Sequence, residues 1–356
     1  MWHTARVSVL KAVVLVAGIF AVLATIGSAI RVVILPRGIQ SRLARRVFRV
    51  IRIFFELRMG RRATYERRDR LMAQYAPIGL LALLVTWLGV VLTGYMGMFW
   101  AVSPDRSLRT AFRLSGSSLY TLGFERPTDL FSTMLAFSEA AIGLFLLALL
   151  ITYLPSLYGA FSRREVMVAL LEVRAGSPPT GVEAIERAQR IESLDLRSVW
   201  DSWERWFIEL EESHTSFPTL VFFRSPQPER SWVTAAGAVL DAASLVASTL
   251  DIPRQSDAEL CIRAGYLALR RIASFFRIPY DPDPQPSDPI SITRAEYDAV
   301  VERLAAAGTP LKADREQAWR DFVGWRVNYD TVLIALAKLT VAPYAPWSSD
   351  RYTSVR

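Results

Sequence analysis

Three apolar runs mark the first half of the chain, and a polar half with helical periodicity follows. The runs extend from Ala12 to Ile30, from Pro77 to Val102 and from Leu130 to Phe161. A helix needs about 20 apolar residues to cross a hydrocarbon core of ~30 Å, and each run is about that long or longer. The second run holds no charge and ends in Tyr95, Phe99 and Trp100, an aromatic belt suited to a membrane interface. The third holds one charge, Glu139. A carboxyl group inside a span is costly and marks a functional candidate. The plain alternative is a satisfied carboxyl, bonded to the helix before it or to Arg109 or Arg113.

Between the second and third runs, Leu108, Ala111, Phe112 and Leu114 recur at helical spacing behind a start signal at Pro104 and Asp105. They predict a short amphipathic helix over Ser103 to Ser118 that re-enters the membrane, although Arg106, Arg109 and Arg113 are unusual there. Ser115 to Pro127 then forms a loop around Thr121, Leu122, Gly123 and Phe124. A short non-helical stretch between spans is allowed where protein buries it or where it lines water. Gly123 provides a residue that takes positive φ without steric cost. The alternative is an ordinary turn outside the membrane.

The first run is read as a span, with a cleaved leader as its rival because Arg6 and Lys11 precede it and Gly27, Ser28 and Ala29 end it. The following segment argues for the span. Arginines crowd it, from Arg37 and Arg42 through Arg61, Arg62 and Arg70, and loops this basic stay in the cytoplasm. The N-terminus is then outside and the C-terminus cytoplasmic. Ile39, Leu43, Val47, Ile51 and Phe54 fall on one helical face of that segment, opposite arginines. This pattern predicts a helix seated in the interface, with the Arg42 to Arg62 stretch facing anionic lipid. A solvated linker helix is the alternative. A voltage-sensing span is not, because these arginines flank a span and are too dense to cross.

From Val166 onward the periodicity predicts helices over Gly181 to Leu194, Leu196 to Glu212, Glu229 to Leu250, Ala258 to Ile278, Arg294 to Ala307 and Arg315 to Val341. Trp200, Trp203 and Phe207 share a face with Trp206 at its edge, a core stripe rather than a ligand cage. Tyr280 to Pro289 is proline-rich and predicts a stiff, extended linker. Ser216 to Thr219 and Ser225 to Pro228 interrupt helices.

Composition narrows the chemistry. The chain has 356 residues, 52% of them hydrophobic, and a net charge of +8. That charge gathers beside a span, so it carries no nucleic-acid signal. One cysteine, Cys261, excludes an internal disulfide, and the two histidines, His3 and His214, lie far apart. No P-loop, dinucleotide fingerprint, nucleophile–base pair or metal constellation appears, so the chain is read as a non-enzyme without a resident metal or cofactor.

The segment Thr121-Leu122-Gly123-Phe124, set between two spans, resembles the TVGYG filter of potassium channels at its first four positions. It departs at the fifth, where Glu125 stands in place of glycine. Glu139, Gly143 and the Ser162–Glu165 stretch are similar to the inner helix of prokaryotic potassium channels with two spans per pore. The resemblance covers about Pro77 to Glu165. It implies a homotetramer, since four loops build one filter, with permeant K⁺ bound by the carbonyls of Thr121 to Phe124. It implies Glu125 at the outer mouth and a gate or hinge at Glu139 and Gly143, although Gly143 is equally read as a packing glycine. Leu154 and Pro155 predict a kink or helix end near the inner face. The expected fold is an all-α membrane protein: a first transmembrane helix over 1–35, a basic segment over 36–75, a pore module over 76–162 and a helical cytoplasmic domain over 163–356 whose ligand is unassigned. The expected function is a tetrameric cation channel in the cell membrane. The alternative is a non-conducting membrane sensor or scaffold that keeps the pore fold.

Overall fold

The structure, a computed structural model, describes residues 2–35, 41–59, 65–102, 107–191 and 196–352. Every regular element among them is helical: α1 (Trp2–Val33), α2 (Arg42–Met59), α3 (Tyr65–Ala73), α4 (Tyr75–Val102), α5 (Leu108–Leu119), α6 (Leu130–Ala175), α7 (Gly181–Arg190), α8 (Arg197–Ser216), α9 (Trp232–Ser248), α10 (Ser256–Phe275), α11 (Arg294–Ala306), α12 (Arg315–Arg326) and α13 (Asp330–Thr340). Two short 3₁₀ turns, Pro218–Phe222 and Ser349–Arg351, complete them. Ser8–Val33, Tyr65–Val102 and Leu130–Ala175 are long and apolar enough to cross a membrane. The chain forms two compact units. One holds Met1–Gly60 and Gln74–Tyr158, the other Arg61–Ala73 and Gly159–Arg356.

In the first unit, α4 is the element the others lie against. α1 runs close along it because Gly18 and Gly94 face each other. A Cβ on Gly18 would sit 2.6 Å from the Gly94 carbonyl oxygen, so small residues there set the interhelical distance. A buried polar chain ties three segments. Trp87 Nε1 donates to Ser28 Oγ at 3.1 Å, and Ser28 Oγ lies 2.6 Å from Ser41 Oγ. Ser41 Oγ also accepts from the Ala44 N–H, so it caps the first turn of α2.

α2 carries two apolar faces where the sequence predicted one. Ala44 and Phe55 are buried, and the Phe48 and Phe55 rings each pack edge-on at 6.0 Å from Tyr75 of α4. Val50, Ile53, Phe54 and Leu57 form a second, exposed stripe at i, i+3, i+4 and i+7. Ile39, Arg37, Arg61 and Arg62 lie outside the described residues. The basic segment read as one piece over 36–75 is divided, with α2 in the first unit and α3 in the second.

The second unit is built around α9. All of its residues but Ala247 are buried: its alanines and valines pack on the core, and its polar residues Asp241 and Ser244 are buried with partners, Ser244 Oγ lying 3.0 Å from the Tyr329 hydroxyl. Arg326 is fully buried beside it. Its guanidinium meets Asp241, reaches Asp330 Oδ1 at 2.7 Å and donates to the Trp347 carbonyl. Burial opposes the Arg326 charge, but the Asp241 and Asp330 carboxylates outweigh it and raise the pKa. Arg224 pairs with Asp69 at 3.0 Å, and the Tyr65 hydroxyl donates to the Pro228 carbonyl at 2.9 Å, which fastens α3 to this unit.

Three expectations change beyond small shifts of helix ends. α6 continues through Pro155 to Ala175 rather than ending there. A proline removes one backbone bond, and a long apolar helix tolerates the loss where neighbouring groups re-satisfy the freed carbonyl. The stretch from Arg315 to Val341 is two helices, α12 and α13. Asn328 Nδ2 bonds the Gly324 carbonyl at 2.9 Å, and Arg270 Nε takes the Asn328 carbonyl at 2.9 Å, so the backbone turns there. The proline-rich Tyr280 to Pro289 stretch is held on the unit rather than extended free of it. Arg270 Nη1 donates to the Pro282 carbonyl at 3.0 Å, and the Tyr280 hydroxyl meets Ser274 Oγ at 3.0 Å. The tryptophan stripe of α8 is buried as expected, with Trp203 and Trp206 ring centres 4.8 Å apart.

Candidate functional site

α5 begins at Ser107, whose side chain accepts from the Thr110 N–H. The start signal at Pro104 and Asp105 lies outside the described residues. Ala111, Leu114, Ser115 and Leu119 form its buried face, while Leu108, Phe112 and the Arg109 and Arg113 side chains are exposed. The helix closes with the Thr121 N–H on the Ser118 carbonyl at 3.0 Å and the Leu122 N–H on the Ser117 carbonyl at 2.8 Å.

The loop that follows is pinned by Ser117. Its Oγ accepts from the Glu125 N–H at 3.1 Å and donates to the Glu125 carbonyl at 3.2 Å. One buried hydroxyl thus ties the last turn of α5 to a residue eight positions further on and closes the loop between them. Thr121 has φ of 54° and Gly123 has φ of 73°. Positive φ is routine for glycine but costs a residue with a Cβ roughly 1–2 kcal/mol. Thr121 therefore holds a conformation that its β-branched side chain disfavours. Leu122 and Phe124 are 62% and 57% exposed, so the loop presents apolar side chains and backbone to its surroundings.

Glu125 pairs with Arg113 across 3.0 Å, and the Arg113 guanidinium also lies 5.8 Å from the centre of the Phe124 ring. Arg113 therefore serves the loop. It is not the partner of Glu139.

Glu139 is fully buried on α6. Ser115 Oγ lies 2.6 Å from Glu139 Oε1 and 2.9 Å from the Leu92 carbonyl oxygen of α4. Glu139 Oε2 is buried without a hydrogen-bond partner. Beside it, Tyr95 of α4 and Ser138 of α6 share a hydrogen bond of 2.8 Å. One turn along, a Cβ on Gly143 would lie 2.6 Å from the Leu119 carbonyl oxygen. Four residues separate Glu139 from Gly143, and four separate Ser115 from Leu119. The two contacts therefore repeat at one helical turn on both helices. α6 is helical through Gly143, and this glycine lets it touch the end of α5 at the point where the loop begins.

At the entry to α6, Asp129 Oδ1 accepts from the Ser132 N–H at 2.9 Å, which lowers the Asp129 pKa below the ordinary carboxylate value. Among the described residues, no group of three or more His, Cys, Asp or Glu side chains is placed to hold a metal. Ser115 and Ser117, which organise the site, were not singled out in the sequence. The available signal was their spacing, two serines on the otherwise apolar face of a short amphipathic helix.

No protein-family model, no curated protein and no solved structure matches this chain.

Proposed function

We propose that the chain is one subunit of a tetrameric cation channel in the cell membrane, with the N-terminus outside and the C-terminus cytoplasmic. Conduction would run past the carbonyls of Thr121 to Phe124, and α6 would move as the gate near Glu139 and Gly143. One observation carries the reading. Between two apolar helices stands a short helix whose following loop holds positive φ at Thr121 and Gly123 and is closed by Ser117. A loop that dehydrates ions needs backbone carbonyls free of internal bonds and a conformation fixed by its frame. The exposed apolar stripe of α2, beside its arginines, supports an interfacial position against anionic lipid.

A second reading is a non-conducting sensor or scaffold that keeps this fold. The observation favouring it is Arg113, an exposed cation paired with Glu125 and near Phe124. It places positive charge at the loop, where a cation pathway gains from negative potential.

Potassium-driven flux in proteoliposomes decides between them. The channel reading expects flux that Gly123→Ala abolishes while tetramers persist in crosslinking. Tetramers without flux in the wild type would leave the scaffold.

A further inference from the structure

The second unit contains a cavity of about 390 Å³ that the proposed pore does not use. Its floor is formed by Leu171 of α6, Ile185 of α7, Trp200 and Trp203 of α8, and Val239 and Ala242 of α9, all buried. It opens to solvent between α6, α7, α8 and α9, a groove at the edge of the close-packed interior rather than a void inside it. It lies in the lower part of the roughly 300–1,000 Å³ range of small-molecule sites. Most of its lining side chains are apolar and offer water no hydrogen-bond partner. The Trp200 Nε1 is already committed to Gln255 Oε1 at 2.9 Å.

Charge enters at one side only. Arg174 and Arg187 line the opening, and no acidic residue lines it among the described residues. Arg187 is engaged, with Nε on Glu183 at 2.8 Å and Nη1 on the Val173 carbonyl at 2.8 Å. Arg174 is exposed and has no ion-pair partner among the described residues. An apolar chamber bordered, among the described residues, by one cation without an ion-pair partner matches a molecule with one apolar chain and one anionic end.

We infer that this cavity binds a single-chain fatty carboxylate, its alkyl chain against Trp200 and Trp203 and its carboxylate at Arg174. An alcohol of the same length would fill the chamber but leave Arg174 unpaired. A cationic amphiphile would be repelled.

The inference is independent of the channel reading, and its test measures binding without flux. The full chain in zwitterionic nanodiscs is titrated with bromine-labelled dodecanoate, whose bromines quench tryptophan fluorescence on contact. The matched dodecanol and dodecyltrimethylammonium are titrated in parallel. We expect saturable quenching by the carboxylate, reduced in amplitude in Trp203→Phe and weakened by Ala188→Leu, which narrows the chamber. Binding should weaken about fivefold for the alcohol and for Arg174→Gln, the scale of one partly exposed charge pair. Arg174 is exposed, so Arg174→Gln remains decisive if Ala188→Leu does not fold. Equal quenching by all three amphiphiles, unchanged in Arg174→Gln, would be bilayer partitioning and would overturn the site. Absence of quenching would leave the apolar wall to a protein partner and overturn it equally.

Discussion

Ser115 Oγ stands 2.6 Å from Glu139 Oε1 and 2.9 Å from the Leu92 carbonyl oxygen, so one hydroxyl joins α4, α5 and α6. A serine hydroxyl owns a single proton, and both neighbours are placed to accept it. The proton count closes if Glu139 carries a proton and donates to Ser115 Oγ, which then donates to Leu92. An amide has a donor in the same place. Glu139→Gln should therefore keep the midpoint of thermal unfolding in detergent within a few degrees. Ser115→Ala should cost about 1–2 kcal/mol, the range for a hydrogen bond between membrane helices or a stranded buried polar group. A larger loss in Glu139→Gln than in Ser115→Ala would reject this proton arrangement.

Gly123 and Gly143 should respond differently to alanine. No atom lies within 4 Å of a Cβ on Gly123, so Gly123→Ala carries only the strain of its positive φ, roughly 1–2 kcal/mol in the loop. Gly143→Ala drives a methyl group into the Leu119 carbonyl and overpacks the α5–α6 contact, at a cost of about 1–3 kcal/mol. Size-exclusion chromatography and thermal unfolding should show the larger defect in Gly143→Ala. On the channel reading, flux should be lost in both. Equal stability of the two variants would mean that the close approach at Leu119 does not constrain α6.

The Arg113–Glu125 pair sets the charge at the loop. On the channel reading, removing the cation with Arg113→Gln should raise cation flux, most at low ionic strength where screening is weakest. Glu125→Gln leaves Arg113 without its acidic partner and should lower flux with the same salt dependence. Both side chains are partly exposed, so neither change should shift stability by more than about 1 kcal/mol. Flux unchanged by both variants at low salt would place the pair away from the ion path.

His214 makes the second unit sensitive to acid. Arg164 Nη1 lies 3.2 Å from His214 Nε2, and a guanidinium has no acceptor, so Nε2 is the acceptor and the ring is neutral. Burial first, and the Arg164 charge second, hold its pKa well below the ordinary histidine value. The unfolded chain binds this proton below about pH 6.5, while the folded ring resists it. Stability from this group is thus complete above pH 6.5. It falls as pH drops below that, by up to ~1.4 kcal/mol per pH unit. Thermal unfolding compared between about pH 7.5 and pH 5.5 should show the loss, and His214→Gln should reduce the slope. The same slope in His214→Gln would assign it to other groups.

Arg326 is the costliest side chain to remove. Arg326→Met leaves Asp241 and Asp330 buried without their cation, and breaking such a cluster costs about 3–5 kcal/mol. Arg326→Lys should rescue little, because one ammonium cannot reach both carboxylates and the Trp347 carbonyl with a planar fork. The expected readout is loss of the second unit's unfolding transition. Near-wild-type unfolding of Arg326→Met would show that the carboxylates are satisfied without it.

The chain by itself determined the features that depend on residues close together. Three apolar runs give three helices able to span, because run length and hydropathy are local properties. The 3.6-residue periodicity placed most helices of the second half, and the buried tryptophans of α8 followed from their spacing alone. Gly123 was legible because positive φ selects for glycine, but the same conformation at Thr121 was not, since nothing in a threonine announces it. The tertiary structure decided which polar groups meet. Glu139 finds Ser115 rather than an arginine, Arg113 finds Glu125, and Arg326 finds Asp241, because packing of helices chooses among partners that sequence offers equally. It also decided where helices stop. Pro155 does not end α6, while at Asn328, between α12 and α13, the amide bonds the Gly324 carbonyl and Arg270 donates to the Asn328 carbonyl. The cavity above Trp200 and Trp203 was invisible in the sequence for the same reason. A gap exists only where four helices fail to close, and that depends on how their surfaces fit rather than on any one helix.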